Sequence, residues 1–172
     1  MRNGIVIRAA EEKDLPDILV IYNEAVLNTT ASYDYEPRSL ENRRIWFEDH
    51  RKINFPILIA ESPDEGIVGW GSLNRYHDRP GYRFTAENSV YVATSHQGQG
   101  IGFALLSSLI TAANSLNLHT IIAAVDAENL VSIRLHHRLG FKTVARFPEI
   151  GFKFDRWLDV VYLQFLLPKP TI

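Results

Sequence analysis

Residues 97–102 read QGQGIG, and the glycines of this segment are the residues whose type and position bear most directly on chemistry. An alternating, strand-like run ends at Ala93 before them, and a helix-like run begins at Phe103 after them. Glycines between a strand and a helix leave backbone N–H groups uncovered at a helix N-terminus, where the dipole favours negative charge. The segment therefore predicts a binding site for a diphosphate group.

Three known glycine patterns compete for this segment. A dinucleotide-binding fold requires G-x-G-x-x-G, but Phe103 occupies the third glycine position. A P-loop requires a Gly-Lys pair, and the sequence contains none. The third pattern, Gln/Arg-x-x-Gly-x-Gly/Ala, is satisfied by Gln97, Gly100 and Gly102. A glycine-rich turn without a ligand is the remaining alternative.

The composition is that of a globular protein without a strong charge bias. The 172 residues are 46% apolar and 22% charged, with a net charge of −2, which fits one domain over residues 1–172 and argues against nucleic-acid binding. The sequence has no cysteine and no His-x-x-x-His spacing among its six histidines, so no thiolate catalysis and no metal are expected. Because we identify no signal peptide and no long apolar run, no membrane partner is expected, and the predicted compartment is the cytoplasm.

The hydrophobic periodicity predicts eleven elements in the order β-α-α-β-β-β-α-β-α-β-β. The predicted strands cover residues 4–8, 55–61, 66–74, 84–93, 119–125, 141–147 and 157–167. The predicted helices cover residues 11–28, 39–54, 100–116 and 129–139. This order indicates a mixed α/β (α+β) domain built around a central sheet.

A second segment narrows the choice of diphosphate. Residues 129–141, NLVSIRLHHRLGF, resemble the second hallmark of the GNAT superfamily of N-acetyltransferases, in which an asparagine is followed three residues later by alanine or serine and the helix ends in Leu-Gly-Phe. In that family the pattern satisfied by Gln97, Gly100 and Gly102 is the loop that binds the pyrophosphate of acetyl-CoA. Two such segments at the expected separation are more specific than either one.

Three further segments resemble the phosphinothricin acetyltransferase branch, which includes methionine sulfoximine and methionine sulfone acetyltransferases. They are residues 21–30, 81–92 and 153–159, and the resemblance spans about residues 5–167. It implies the GNAT fold, with a mixed, mostly antiparallel sheet flanked by helices. It also implies acetyl-CoA as donor, direct transfer to the α-amine of a small amino-acid analogue in a ternary complex, a homodimer, and a part in herbicide or antibiotic resistance.

Two other functions remain open at this point. One is an N-terminal or other amine acetyltransferase, and the other is a non-catalytic module that binds acyl-CoA. A polyamine enzyme would line its pocket with acids, whereas residues 74–83 form a loop rich in basic residues. A binding module would need neither that loop nor a positioned base, so the presence of both favours catalysis.

Glu87 and His136 are the candidate catalytic residues. Glu87 lies in an otherwise apolar, strand-like segment, where burial would raise its pKa into a range that suits a general base. By resemblance, the glutamate of this Thr-x-Glu segment is the base of the branch, and the alternative is a surface glutamate. His136 falls where many relatives have a tyrosine thought to protonate the leaving sulfur, and an imidazole could do the same. Its alternative is a solvated helix residue.

The resemblance also assigns binding residues for both substrates. The acetyl-CoA set is Val90, Tyr91, Val92, Gln97, Gly98, Gln99, Gly100, Ile101, Gly102, Asn129 and Ser132. Asn129 and Ser132 also suit the start of a helix as capping residues. The acceptor set is Tyr33, Arg75, Tyr76, Tyr82, Arg83, Thr85 and Lys153. Arginine suits a carboxylate or phosphinyl group, and a solvated loop is the alternative for each arginine.

Overall fold

The computed structural model describes residues 4–170, which form seven strands, four α-helices and short 3-10 turns. The strands are β1 (Val6–Ala9), β2 (Ile57–Ser62), β3 (Gly66–Arg75), β4 (Thr85–Val92), β5 (Thr120–Asp126), β6 (Lys142–Lys153) and β7 (Arg156–Leu166). The helices are α1 (Leu15–Asn28), α2 (Leu40–Lys52), α3 (Ile101–Ser115) and α4 (Leu130–Arg138). No helix within residues 4–170 is long and apolar enough to cross a membrane.

All seven strands form one mixed sheet in the order β1-β2-β3-β4-β5-β7-β6. Every neighbouring pair is antiparallel except β4 and β5, which are parallel. The parallel pairing joins residues 85–87 to residues 120–122 and stops after Glu87. Because β4 stays paired with β3 up to Val92, the two central strands separate beyond Glu87 and open a cleft in the sheet.

The two faces of the sheet have separate cores. On one face, Leu15 and Ile18 of α1 pack with Trp70 of β3 and with Phe47 of α2. On the other face α3 packs against β2, β3 and β4, with Leu106, Leu109, Leu73, Ala86 and Ile121 in one buried cluster. Side chains alternate along a strand, so Glu87 projects to the face of α1 and α2, opposite to Ala86.

The predicted order of elements is confirmed, and the largest difference is the length of β6. The prediction ended this strand at Phe147, because Pro148 and Gly151 interrupt the alternation. The register shifts between Phe147 and Gly151, and Glu149 has a φ of 52°, so the strand bulges and then continues to Lys153. The hairpin closes with Phe154 and Asp155, both at positive φ as a two-residue turn requires.

The close approach of α3 to the sheet depends on a glycine in β3. A Cβ atom built on Gly71 would lie 2.9 Å from the carbonyl oxygen of Ser89 and 3.1 Å from Cδ1 of Leu109. Contacts this short force the backbone of β4 or helix α3 to shift. Gly71 therefore sets the spacing between β3, β4 and α3, beside the cleft.

We expect Gly71→Ala to destabilise the protein by about 1–3 kcal/mol, the usual cost of overpacking a core. Chemical denaturation followed by circular dichroism would measure this loss. Gly81→Ala is the matched control, because the described residues leave open space around Gly81 and its φ is not positive. Equal stability of the two variants would contradict the close approach.

Candidate active site

A cavity of about 1020 Å³ lies where β4 and β5 separate. Its wall includes Glu87 and His136, the two candidate catalytic residues, and every residue of the predicted acetyl-CoA set except Gln99. Of the predicted acceptor set, Tyr33 lines the cavity, whereas Arg75, Tyr76, Tyr82, Arg83, Thr85 and Lys153 do not. The structure thus brings the donor residues together and separates them from most of the acceptor residues.

The free edge of β4 presents backbone donors to this cavity. Ala93 N–H donates to Val68 O of β3 at 3.0 Å, whereas Phe84 O accepts from residues beside β5. Because backbone groups alternate along a strand, the N–H groups of Val90 and Val92 point to the cleft and that of Tyr91 points to β3. Of Val90, Tyr91 and Val92 in the predicted acetyl-CoA set, only Val90 and Val92 therefore present a backbone N–H group to the cavity.

The glycine-rich segment forms the turn into α3. Gly98 and Gly100 have φ values of 73° and 85°, in the left-handed region that favours glycine. Gly100 is the residue that precedes α3, and within the described chain no side chain caps this helix N-terminus. The first N–H groups of α3 are thus uncovered beside the cavity and can donate hydrogen bonds to an anionic group.

Glu87 is half-buried in the wall at the point where the strands separate. Burial raises the pKa of its carboxyl group above the ordinary value, and no group of residues 4–170 donates a hydrogen bond to that carboxyl group. Burial also raises the pKa of Tyr162, another wall residue, and the negative charge of Glu87 adds to this shift. A carboxylate without a partner in a partly dry cavity has the properties of a general base.

His136 is buried, with both ring nitrogens engaged. Its Nδ1 lies 2.8 Å from the carbonyl oxygen of Ser132, which can only accept, so Nδ1 carries the proton. Its Nε2 lies 3.1 Å from Nδ2 of Asn88 and accepts a hydrogen bond from that amide. Burial lowers the pKa of His136, so the ring is neutral near pH 7. In this arrangement Nε2 carries no proton to donate, which does not favour the role of general acid.

The basic loop lies outside the cavity. Arg75 pairs in register with Ala86, and Asn74 pairs with Glu87, so the Arg75 side chain projects to the face opposite to Glu87. The guanidinium of Arg83 stacks on the ring of Phe84, with its central carbon 4.5 Å from the ring centroid. Tyr76 follows Arg75 and lies near Tyr162, whose raised pKa it affects after burial and Glu87. Tyr82 packs edge-on against Tyr76.

Lys153 is buried, and its ammonium group is fully occupied. Nζ donates to the carbonyl oxygens of Val26 at 2.7 Å, Thr29 at 2.8 Å and Ser32 at 2.6 Å. An ammonium group has three donors, so none remains for an acceptor molecule. Burial lowers the pKa of Lys153, while the partial negative charge at the end of α1 favours a cation there. The predicted direct contact of Lys153 with the acceptor is therefore corrected to a structural contact.

The loop that Lys153 holds, residues 29–33, closes one side of the cavity. Tyr91 donates its hydroxyl to Ala31 O at 3.2 Å, and Tyr33 donates to Oδ2 of Asp126 at 3.4 Å. The loop thus bridges the cleft from β4 to the end of β5. Burial raises the pKa of Tyr33 to about 12, and Asp126 adds to that shift, so the Tyr33 hydroxyl is neutral.

Several wall residues were not identified from the sequence. They are Asn88, Asp126, Arg134, Arg138 and Tyr162. Asp126 ends an apolar strand, which is a usable signal for a site residue, and Arg134 and Arg138 are four residues apart on one helical face. Asn88 and Tyr162 carry no such signal. Among residues 4–170, no group of three His, Cys, Asp or Glu side chains could hold a metal ion.

We expect Lys153→Met to destabilise the protein by at least about 2 kcal/mol, because three carbonyl groups lose a charged donor. Urea denaturation would measure the loss. Lys142→Met, at an exposed position of the same strand, is the matched control and should change stability by about 0.5 kcal/mol or less. If both variants unfold at the same urea concentration, the ammonium group does not hold the loop.

Comparison with known proteins agrees with this geometry. Residues 7–162 match the family model described as an acetyltransferase (GNAT) domain. The L-methionine sulfoximine/L-methionine sulfone acetyltransferase of Pseudomonas aeruginosa is 42% identical over 165 residues, which cover 96% of this chain and 95% of that protein. The phosphinothricin N-acetyltransferase of Streptomyces coelicolor is 33% identical, over 93% of this chain and 95% of its own length.

A solved structure gives the same result. The putative acetyltransferase of Salmonella typhimurium, determined with its cofactor acetyl-CoA, superimposes with a TM-score of 0.95 at 38% identity. The match covers 99% of this chain and 98% of that chain. The mixed seven-stranded sheet flanked by four helices is the GNAT fold, and the chain belongs to the GNAT family of acetyltransferases.

Proposed function

We propose that this chain transfers the acetyl group of acetyl-CoA to the α-amine of a small amino-acid analogue, with residues 1–172 acting as one catalytic domain. The observation that carries the proposal is the cavity at the separation of β4 and β5. Its wall combines backbone donors, a helix N-terminus and the carboxylate of Glu87, and no side chain of residues 4–170 covers, caps or pairs with them. The named activities of the relatives support methionine sulfoximine, methionine sulfone and phosphinothricin as acceptors.

The donor would occupy the cleft side of the cavity. The turn at 97–102 and the first N–H groups of α3 suit its diphosphate, and the N–H groups of Val90 and Val92 suit its pantetheine arm and thioester carbonyl. Acetyl-CoA supplies a thioester carbonyl that an amine can attack. Asn129 caps α4 by accepting from Ser132 N–H at 3.0 Å, so its first role is to hold that helix against the cleft.

Glu87 would remove a proton from the acceptor's ammonium group, directly or through water, before the amine attacks the thioester carbonyl. The C–N bond then forms, the C–S bond breaks, and the leaving CoA thiolate takes up the second proton that the amine nitrogen loses. We propose direct transfer within a ternary complex, because the chain has no cysteine and no identified activated serine for an acyl-enzyme. His136, neutral and bonded at both nitrogens, is better suited to hold Asn88 in the wall than to protonate the leaving sulfur.

The acceptor would approach from the face of Glu87, where Tyr33, Tyr162 and Tyr76 lie. Tyr82, Arg83 and Thr85 remain candidates at the rim, and Arg75 is the least favourable because it projects to the other face. Resistance to herbicides or antibiotics and a cytoplasmic location also stay predictions.

We expect release of free CoA with methionine sulfone, methionine sulfoximine or phosphinothricin, and much less with polyamines or peptides. In the same assay, Glu87→Gln should lose at least about tenfold in turnover near pH 7, because a positioned base contributes about 10²–10⁴ in rate. Faster release of CoA with peptides than with the amino-acid analogues would favour the N-terminal acetyltransferase alternative. Acetyl-CoA binding without CoA release for any amine would favour the binding module.

The stability of Glu87→Gln separates loss of the base from loss of the fold. Burial raises the pKa of the Glu87 carboxyl group in the folded state. The contribution of this group to stability is therefore fully present below the pKa of the unfolded state, about 4.3, and is lost as the pH rises through the pKa of the folded state. The variant keeps a neutral side chain, so its thermal midpoint should exceed that of the wild type at pH 8 and approach it at pH 4.5. A lower midpoint at pH 8 would contradict this account.

A homodimer is proposed from an exposed apolar patch on the β6–β7 hairpin. Its members are Phe147, Ile150, Phe152, Phe154 and Trp157, each at least 41% exposed. Large apolar side chains grouped in this way mark a contact surface, and the patch continues toward the loop that closes the cavity. Tyr35, beyond that loop, donates its hydroxyl to Phe152 O at 2.6 Å.

We expect the wild type to sediment as a dimer and Trp157→Asp to shift it toward the monomer, because a charge would enter an apolar interface. Trp157 is 62% exposed, and Val20 on α1 is 66% exposed outside the patch, so Val20→Asp is the matched control. A monomeric wild type, or equal behaviour of the two variants, would rule out this surface.

A further inference from the structure

Asn74 uses every hydrogen-bonding position of its side-chain amide. Nδ2 donates to the carbonyl oxygen of Glu87 at 3.2 Å and to Oγ of Ser89 at 3.1 Å. Oδ1 accepts from Oγ of Ser72 at 3.1 Å and lies 3.0 Å from Nε2 of His50. Since an amide has two donor hydrogens and accepts two hydrogen bonds at its oxygen, the group is saturated and its orientation is fixed.

His50 anchors this amide from helix α2. It is buried, and its Nδ1 lies 2.8 Å from the carbonyl oxygen of Trp46 in the preceding turn. Asn74 Oδ1 can only accept, so the tautomer with the proton on Nε2 donates to it. The imidazole ring also packs on the indole of Trp46, with the centroids 4.6 Å apart. The ring therefore has little freedom to turn away from Asn74.

The network ends at the backbone of Glu87, where β4 loses its pairing with β5. Glu87 is the last residue of β4 that pairs with β5, and the following residues of β4 are paired with β3 alone among the described strands. Asn74 is the register partner of Glu87 on β3, and its side chain bonds on both sides of the point where β4 leaves β5. The carboxylate itself receives no hydrogen bond from residues 4–170, so its position depends on its backbone.

We propose that His50 and Asn74 are positioning residues for Glu87, with Asn74 holding the β4 backbone at the base and His50 holding Asn74. This inference rests on the proposed role of Glu87 as the base. His50 lies in α2, outside the cavity wall, and acts through Asn74 without touching either substrate. Loss of the network would let the Glu87 segment shift, which lowers the rate of the proton transfer and leaves the acetyl-CoA side of the cleft unchanged.

The test compares kcat and KM of five proteins with the acceptor that the wild type uses fastest. They are the wild type, His50→Phe, His50→Gln, Asn74→Leu and the double variant His50→Phe/Asn74→Leu. Phenylalanine keeps the ring on Trp46 and removes the donor, whereas glutamine keeps an N–H donor for Asn74. His119→Phe is the matched control. His119 also lies within hydrogen-bonding distance of a carbonyl oxygen, that of Leu167 at 2.8 Å, but it makes no hydrogen bond to Asn74.

We expect Asn74→Leu to lower kcat at least about tenfold and His50→Phe about threefold or more, since small displacements of a catalytic group cost large factors in rate. The KM for acetyl-CoA should stay within about twofold in both. His50→Gln should recover most of the kcat, and His119→Phe should resemble the wild type. In the double variant, His50→Phe should add no loss beyond that of Asn74→Leu, because the two residues act in series.

Two results would overturn the proposal. One is a kcat of His50→Phe equal to that of the wild type, and the other is a double variant whose kcat falls below that of Asn74→Leu by the full factor seen for His50→Phe alone. If Asn74→Leu does not fold, the comparison of His50→Phe with His50→Gln decides the question alone, and equal kcat values overturn it. Glu87→Gln, measured alongside, separates the two proposals. Full turnover in Glu87→Gln overturns the base assignment and the positioning role with it, whereas an inactive Glu87→Gln beside a fully active Asn74→Leu overturns the positioning role alone.

Discussion

The site depends on a parallel strand pair that stops early. β4 and β5 share three registered positions, after which β5 continues with β7 while β4 continues with β3. A strand that loses one neighbour leaves half of its backbone groups unpaired, and inside a protein such groups must find other partners. The cavity follows directly, because the backbone donors of β4 that would have bonded β5 now face an open space. The glycine turn and α3 begin at the far end of the same strand, so the uncapped helix N-terminus opens into that space too.

An opening of this kind would weaken the sheet unless other contacts crossed it. The loop at 29–33 does so, with one contact to Tyr91 on β4 and one to Asp126 on β5. Lys153 ties this loop to the β6–β7 hairpin through the carbonyl groups of Thr29 and Ser32, and it also bonds Val26 O of α1. The ring of Tyr33 lies against Gly151 of the same hairpin. The edge of the sheet that carries the exposed apolar patch is thus mechanically connected to the wall of the cavity. Association of two chains through that patch would order the acceptor side of the site.

The sequence predicted the local elements, and the residues expected to bind acetyl-CoA lie together at the cavity, because both depend on short-range patterns. Alternation and helical spacing identify strands and helices, and the glycines of 97–102 form the turn into α3, with Gly98 and Gly100 at positive φ. Most residues expected to bind the acceptor lie outside the cavity, because their position depends on which face a strand residue occupies and on contacts distant in the chain. Lys153 bonds residues more than 120 positions away, and Arg75 and Glu87 separate by the alternation of paired strands. Neither relation is visible in a single sequence.

The treatment of buried charges elsewhere in the molecule bears on the role of Glu87. Asp14 is buried with Arg8, whose guanidinium lies 2.6 Å away, and Lys153 is enclosed by three carbonyl oxygens. Arg43 is buried against aromatic faces, 4.4 Å from the Tyr22 centroid and 4.6 Å from that of Trp46. Asp14 and Lys153 are compensated by charged or hydrogen-bonding partners, whereas Arg43 is compensated by the aromatic faces alone, since its Nε has no hydrogen-bond partner among residues 4–170. Glu87 has no such compensation within the described chain, although a saturated amide holds its backbone from the other side of the strand. A backbone held through Asn74, with a carboxylate that receives no hydrogen bond from residues 4–170, is the arrangement that the proposed role of Glu87 as a proton acceptor requires.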